Sequence, residues 1–199
     1  QNINPARHRP ARKKGIYHNM KAKKWMILLL SLVLALSALS GCSDGGTGSF
    51  SSFTGSTLDG GTFTDKDIKA KDLTIINFWG MFCGPCRTEM PDLAAYEKAL
   101  PDNVQLITIC IDAGNDWEGT KAFLDSCGYE GVTIVGGDES LSAVVTSVQS
   151  FPTTVFVNSK GEVKGSSIIG MQPDLAEAYT TAANKVLSEE GKAEISLAD

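Results

Sequence analysis

The stretch NFWGMFCGPCRTEMP, residues 77–91, carries two cysteines, Cys83 and Cys86, separated only by Gly84 and Pro85. An apolar run over 73–79 leads into them, and the pattern that follows predicts a helix over 83–100, with Pro85 in its first turn and Pro91 as an interior kink. Cys83 is thereby set at a helix N-terminus, where unpaired N–H groups and the positive end of the macrodipole favour thiolate over thiol. Lowering a thiol pKa from about 8.5 to about 7 takes about 2 kcal/mol, within reach of a helix end. A thiolate beside a second cysteine is the minimal apparatus of thiol–disulfide exchange: Cys83 attacks a disulfide, and Cys86 resolves the mixed disulfide.

Two other uses of the pair are weighed against this one. A structural zinc site needs two further ligands, and in the folded part only Cys110 and Cys127 remain, without a second CxxC spacing. A static disulfide in a non-catalytic fold is the other. Cys110 falls mid-strand and Cys127 shares a helix face with Phe123, so both read as small apolar core residues, or as a second disulfide. Both histidines, His8 and His18, precede residue 43, so the folded part has no imidazole for Ser-His-Asp, Cys-His or His-ligated metal chemistry. No metal site is expected, and no cofactor beyond a redox-active Cys83–Cys86 disulfide.

The elements that position the pair follow a mixed order. Residues 57–64 (TLDGGTFT) predict a hairpin about Gly60-Gly61, and 73–79 a strand buried on both faces. A second buried strand spans 104–111, a polar loop 112–116, and a helix 117–127 stopped by Gly128. A short strand at 133–135 and a short helix at 140–147 come next. An antiparallel hairpin over 153–158 and 162–169 and an amphipathic helix over 173–187 close the chain. This order implies an α/β fold, a central mixed sheet with helices on both faces and an N-terminal β-hairpin.

The first 42 residues carry eight of the 18 Lys+Arg and none of the 23 Asp+Glu, leaving ten cations against 23 anions, net −13, after Cys42. A domain so acidic is a poor nucleic-acid binder. Lys21, Lys23 and Lys24 precede an apolar run over 25–39 and then Ser40-Gly41-Cys42, the parts of an export signal beginning at Met20 and too short for a comfortable membrane span. An uncleaved signal anchor is the alternative. Residues 1–19 read as an over-long start, 20–41 as the signal, 42–56 as a Gly/Ser/Thr-rich flexible linker and 57–199 as the domain.

Three features resemble the thioredoxin superfamily: the CGPC motif delivered by strand 73–79, Pro91 five residues after Cys86, and Phe151-Pro152-Thr153-Thr154 opening a late strand. With the extra hairpin, the insertion over 112–147 and the lipobox-like Leu39-Ser40-Gly41-Cys42, the chain resembles the membrane-anchored TlpA/ResA-type thiol–disulfide oxidoreductases over residues 50–190. The resemblance implies a cis Pro152 against the disulfide. It further implies a substrate groove built from Phe82, Gly84, Pro85, Phe151, Pro152 and Thr153, and a lipid on Cys42 holding a monomer to the outer side of the membrane. Electrons would come from a CcdA/DsbD-like transmembrane donor, and the substrates would be disulfides of exported proteins. Phe82 stands where tryptophan is usual, and Asn77 where thioredoxin has a buried aspartate, so Asn77 cannot act as a general base. Glu89 is a weak candidate for that role and reads as a solvated helix residue. Gly-Pro between the cysteines is thioredoxin's own dipeptide, whose potential of about −270 mV favours the reducing direction. A peroxiredoxin-like thiol peroxidase is the alternative, though Gly80 supplies no hydroxyl three residues before Cys83. A ligand-binding lipoprotein without catalysis is the third reading.

Overall fold

The computed structural model describes residues 49–197. In chain order they form β1 (Thr54–Thr57), β2 (Thr62–Thr64), α1 (Asp65–Lys69), β3 (Leu73–Trp79), α2 (Gly84–Ala99), β4 (Val104–Cys110), α3 (Trp117–Cys127), β5 (Thr133–Gly137), α4 (Glu139–Ser147), β6 (Thr153–Asn158), β7 (Val163–Ile169) and α5 (Leu175–Glu189). The export segment, Cys42 and the linker up to residue 48 lie outside the described residues.

All seven strands join one sheet, in the order β2-β1-β5-β4-β3-β6-β7. Every residue of β3 is buried, as its nearly unbroken apolar run requires of a strand covered on both faces. It pairs in parallel with β4, Trp79 opposite Cys110, and antiparallel with β6, Phe78 opposite Thr153. The C-terminal ends of β3 and β4 and the start of β6 therefore meet at one end of the sheet. Two apolar clusters cover the faces. One gathers Met90 and Leu93 of α2, Leu124 of α3 and Tyr179 and Val186 of α5; the other gathers Ile68 of α1 and Leu141 and Val144 of α4.

Boundaries shift where tertiary pairing overrides composition. The linker expected through residue 56 gives way to structure sooner: Phe50 and Phe53 are buried, and β1 begins at Thr54 because its Gly/Ser/Thr backbone pairs with both β2 and β5. β5 runs on to Gly137 through the same contact. Gly128 ends α3 in the left-handed conformation, φ 73°, as the sequence predicts. Asp174, its side chain accepting from Glu177 N–H, delays α5 to Leu175.

Candidate active site

Cys83 and Cys86 are disulfide-bonded at the start of α2, with Cα atoms 5.3 Å apart. Cys83 is the N-cap residue, and its Sγ accepts the Cys86 backbone N–H at 3.2 Å. A helix donor thus already points at the sulfur that would carry negative charge once reduced, the arrangement that lowers a thiol pKa. Cys83 retains 7% exposure and Cys86 none, which assigns the outer sulfur to Cys83.

The loop before Cys83 is held by a residue that sequence reasoning left in a polar loop. Asp112, just past β4, accepts the N–H of Met81 at 2.8 Å and of Phe82 at 3.2 Å, and the Cys110 thiol donates to the same carboxylate at 3.3 Å. Gly80 is pressed between these groups: a Cβ there would lie 2.7 Å from the Phe82 ring and 3.2 Å from Asp112 Oδ1. Burial first, and the Asp112 carboxylate as well, push the Cys110 thiol up to about 12, so it stays protonated and donates. Cys110 and Cys127 are free thiols; the second disulfide left open by the sequence does not form.

The expected groove residues lie at the disulfide end of the sheet, where Thr153 pairs with Phe78. Phe82 is 67% exposed, Gly84 and Pro85 are exposed, and Phe151 is half-buried. The rings of Phe82 and Phe151 meet edge-to-face at 6.0 Å. The Phe151–Pro152 bond is cis, Pro152 O accepts Gly170 N–H at 2.8 Å, and Thr153 Oγ1 donates to Ser150 O. Behind Cys86, Arg87 lies over the Phe123 ring at 5.3 Å, and that ring packs on Trp79.

Glu89 is where the structure departs most from the sequence. It is buried to 2% exposure rather than solvated, because α2 turns its face onto Asn77 of β3. Asn77 Nδ2 lies 3.0 Å from Glu89 Oε1, 3.0 Å from Thr154 Oγ1 and 3.3 Å from the Tyr179 hydroxyl. Thr154 and Tyr179 share a further hydrogen bond, while Glu89 Oε2 and Asn77 Oδ1 have no partner. Burial raises the Glu89 carboxyl to about 7 against the opposing hydrogen bond from Asn77, with Asp92 adding a smaller push upward. Glu89 stands three residues after Cys86, a spacing that puts the two Cβ atoms about 5–6 Å apart on one helix face. The signal for it was present: Asn77 inside a fully apolar strand needs a buried polar partner, and the helix following the cysteines is what packs there.

Comparison with known proteins agrees with this architecture. Residues 48–166 match the AhpC/TSA family. The chain is 25% identical over 124 residues to the thiol-disulfide oxidoreductase ResA of Halalkalibacterium halodurans, covering 61% of this chain and 68% of that protein. It is 32% identical over 117 residues to ResA of Bacillus cereus, covering 58% and 64%. A thioredoxin-family thiol:disulfide interchange protein from Chlorobium tepidum has the same fold, with TM-score 0.55 at 24% identity over 71% of this chain and 99% of that one. With a family match over more than half its length, a thioredoxin-like sheet and a CxxC disulfide at a helix start, the chain belongs to the AhpC/TSA family, among its thioredoxin-like thiol–disulfide oxidoreductases.

Proposed function

We propose that the protein reduces disulfides of exported proteins through the Cys83–Cys86 dithiol, outside the cytoplasm. The observation that carries this is the Cys83 sulfur at the cap of α2, which keeps a trace of exposure where Cys86 keeps none and receives the Cys86 N–H. The Cys83 thiolate attacks one sulfur of the substrate disulfide and expels the other as a thiolate. Cys86, its proton passed to Glu89, then attacks Cys83 Sγ and expels the second substrate thiolate. Two electrons pass to the substrate, and the Cys83–Cys86 disulfide described here is the oxidised product. Glu89 suits the proton step because its carboxyl, raised to about 7, is near neutral poise and lies on the Cys86 face of α2. The backbone of Phe151 pairs with an extended substrate segment beside Pro152.

The dithiol is regenerated by a transmembrane thiol carrier of the CcdA/DsbD kind, and a lipid on Cys42 holds a monomeric domain at the membrane surface. The basic, apolar and small-residue order of residues 21–42 supports this placement.

Insulin reduction tests the activity: Cys83→Ser abolishes it, and a variant that still turns over removes the mechanism. Cys86→Ala traps mixed disulfides, which identifies the exported partner. Peroxide consumption by the dithiol at a rate above its insulin reduction would favour the thiol peroxidase reading.

A further inference from the structure

Asn77 brings a primary amide into a fully buried strand, and the two ends of that amide stand in different surroundings. Nδ2 faces three oxygens from three elements: Glu89 Oε1 on α2 at 3.0 Å, Thr154 Oγ1 on β6 at 3.0 Å and the Tyr179 hydroxyl on α5 at 3.3 Å. Oδ1 has no partner. An amide NH2 has two protons to give, so one goes to Glu89 and the other is shared between the two hydroxyls. The orientation of the amide is therefore set from its nitrogen end, and two of the three oxygens that set it belong to Thr154 and Tyr179.

Those two hydroxyls are hydrogen-bonded to each other. A lone hydroxyl turns to donate or to accept, and meets an amide nitrogen or an amide oxygen equally well. In the bonded pair one of the two protons is used between the partners, so at least one hydroxyl offers Asn77 only lone pairs. An NH2 group satisfies both hydroxyls, whereas a carbonyl oxygen in its place would face lone pairs at the same distance. Neither partner is free to swing away. Thr154 is the cross-strand neighbour of Asn77 in the β3–β6 register. Tyr179 is buried, its ring edge-to-face with Tyr96 at 5.7 Å and with Phe156 at 6.3 Å.

Resting on the disulfide-reductase reading, in which Glu89 takes the Cys86 proton, we propose that Thr154 and Tyr179 are positioning residues for that step: they hold the Asn77 amide with its NH2 toward Glu89. Held so, the amide donates to ionised Glu89 and offers protonated Glu89 no carbonyl oxygen to donate to. Glu89 is thereby kept available as the acceptor. Released, the amide turns Oδ1 toward the protonated carboxyl, which favours the neutral acid and withdraws the acceptor at neutral pH. The titratable groups around the cluster are Cys86, Asp92 and Tyr96 on α2 and Tyr179 on α5. β3 and β6 add none, since 73–79 and 153–158 carry no titratable side chain.

The test follows the 13C signal of the Glu89 carboxyl from pH 4 to pH 10 in the oxidised protein, where Cys83 and Cys86 are joined and do not titrate. Tyr179→Phe keeps the ring and Thr154→Val keeps the branched shape. Each is expected to raise the midpoint by about one pH unit, because a hydrogen bond moves from the charged form to the neutral one. Thr154→Ser restores the hydroxyl and is expected to restore the parent midpoint. In the reduced proteins, mixed-disulfide release at pH 7 is expected to slow about fivefold in the first two variants and to recover as pH rises by the same unit. Lower melting temperatures with an unmoved midpoint would reduce both residues to packing and overturn the inference, and Tyr179→Phe alone decides this where Thr154→Val fails to fold. A midpoint raised as far by Thr154→Ser overturns it as well. Insulin reduction by the parent with a flat titration leaves the reductase reading standing and removes this inference alone. A parent that reduces no insulin removes that reading, and the step assigned to Thr154 and Tyr179 with it, whatever the titration shows.

Discussion

Glu89→Gln separates a buried carboxyl with a raised pKa from an ordinary helix residue. Glu89 is moved from 4.5 to about 7, chiefly by burial. Between those values the native protein holds a proton that the unfolded chain releases, so stability falls as pH rises through this window. Below pH 4.5 both states hold the proton and nothing is lost. Above pH 7 the cost is complete, about 3 kcal/mol at 1.36 kcal/mol per pKa unit.

Glutamine keeps the acceptor that faces Asn77 Nδ2 and carries no charge at any pH. It places an NH2 where Glu89 Oε2 already lacks a partner, which costs about 1 kcal/mol. The variant is therefore expected to be slightly less stable than the parent at pH 4 and about 2 kcal/mol more stable at pH 8, a swing of about 3 kcal/mol. At about 2–4 °C per kcal/mol for a domain this size, the melting temperature rises by about 4–8 °C at pH 8. Urea unfolding of the oxidised parent and variant at intervals from pH 4 to pH 8 reads the swing as a difference, with Cys83 and Cys86 locked in the disulfide and the free thiols common to both proteins. A stability difference flat in pH, or a variant that is weaker at pH 8 than at pH 4, would show Glu89 ionised and supported in the fold, and would refute its role as acceptor of the Cys86 proton. In the reduced protein the same variant is expected to release mixed disulfides more slowly than the parent at pH 7, the gap closing toward pH 9 as hydroxide takes over.

Other outcomes follow from neighbouring contacts. Asp112→Ala orphans the Met81 and Phe82 N–H groups and is expected to cost about 1–3 kcal/mol and to slow insulin reduction at least tenfold, with Asp112→Asn intermediate; unchanged turnover in both would discard the clamp. Asn77→Asp sets a second carboxyl against Glu89, so the pair shares a proton and the stability loss grows between pH 5 and pH 8; a loss that shrinks with pH would contradict this. Cys110, buried and with its thiol pushed up to about 12, is expected to resist iodoacetamide at pH 8 in the native protein while half-buried Cys127 reacts, and mass spectrometry of the unreduced, denatured protein should find both alkylated. Finding them joined would overturn the free-thiol assignment.

What could be foreseen from the chain depended on how local its cause was. The disulfide, its helix and the buried strand before it are set by residues 73–90 alone: an apolar run, a CGPC and a proline that fits a first turn. The Phe151–Pro152 wall was legible through its resemblance, and its cis bond agrees. Glu89 was not, because nothing within its own helix buries it; Asn77 lies 12 residues away and Tyr179 closes the cluster from α5, 102 residues beyond Asn77. Asp112 escaped for a related reason. A carboxylate after an apolar strand looks like the start of a loop until the parallel register of β3 and β4 sets it beside the N–H groups of Met81 and Phe82. β1 failed on composition, since Thr-Gly-Ser-Thr becomes a strand only between two partners. Within the site, Glu89 and Asp112 escaped sequence reasoning because their hydrogen bonds cross between elements. Glu89 follows Cys86 by three residues and Asp112 holds the loop before Cys83, so the polar groups least legible in the chain are the ones that bear on the two cysteines through partners on other elements.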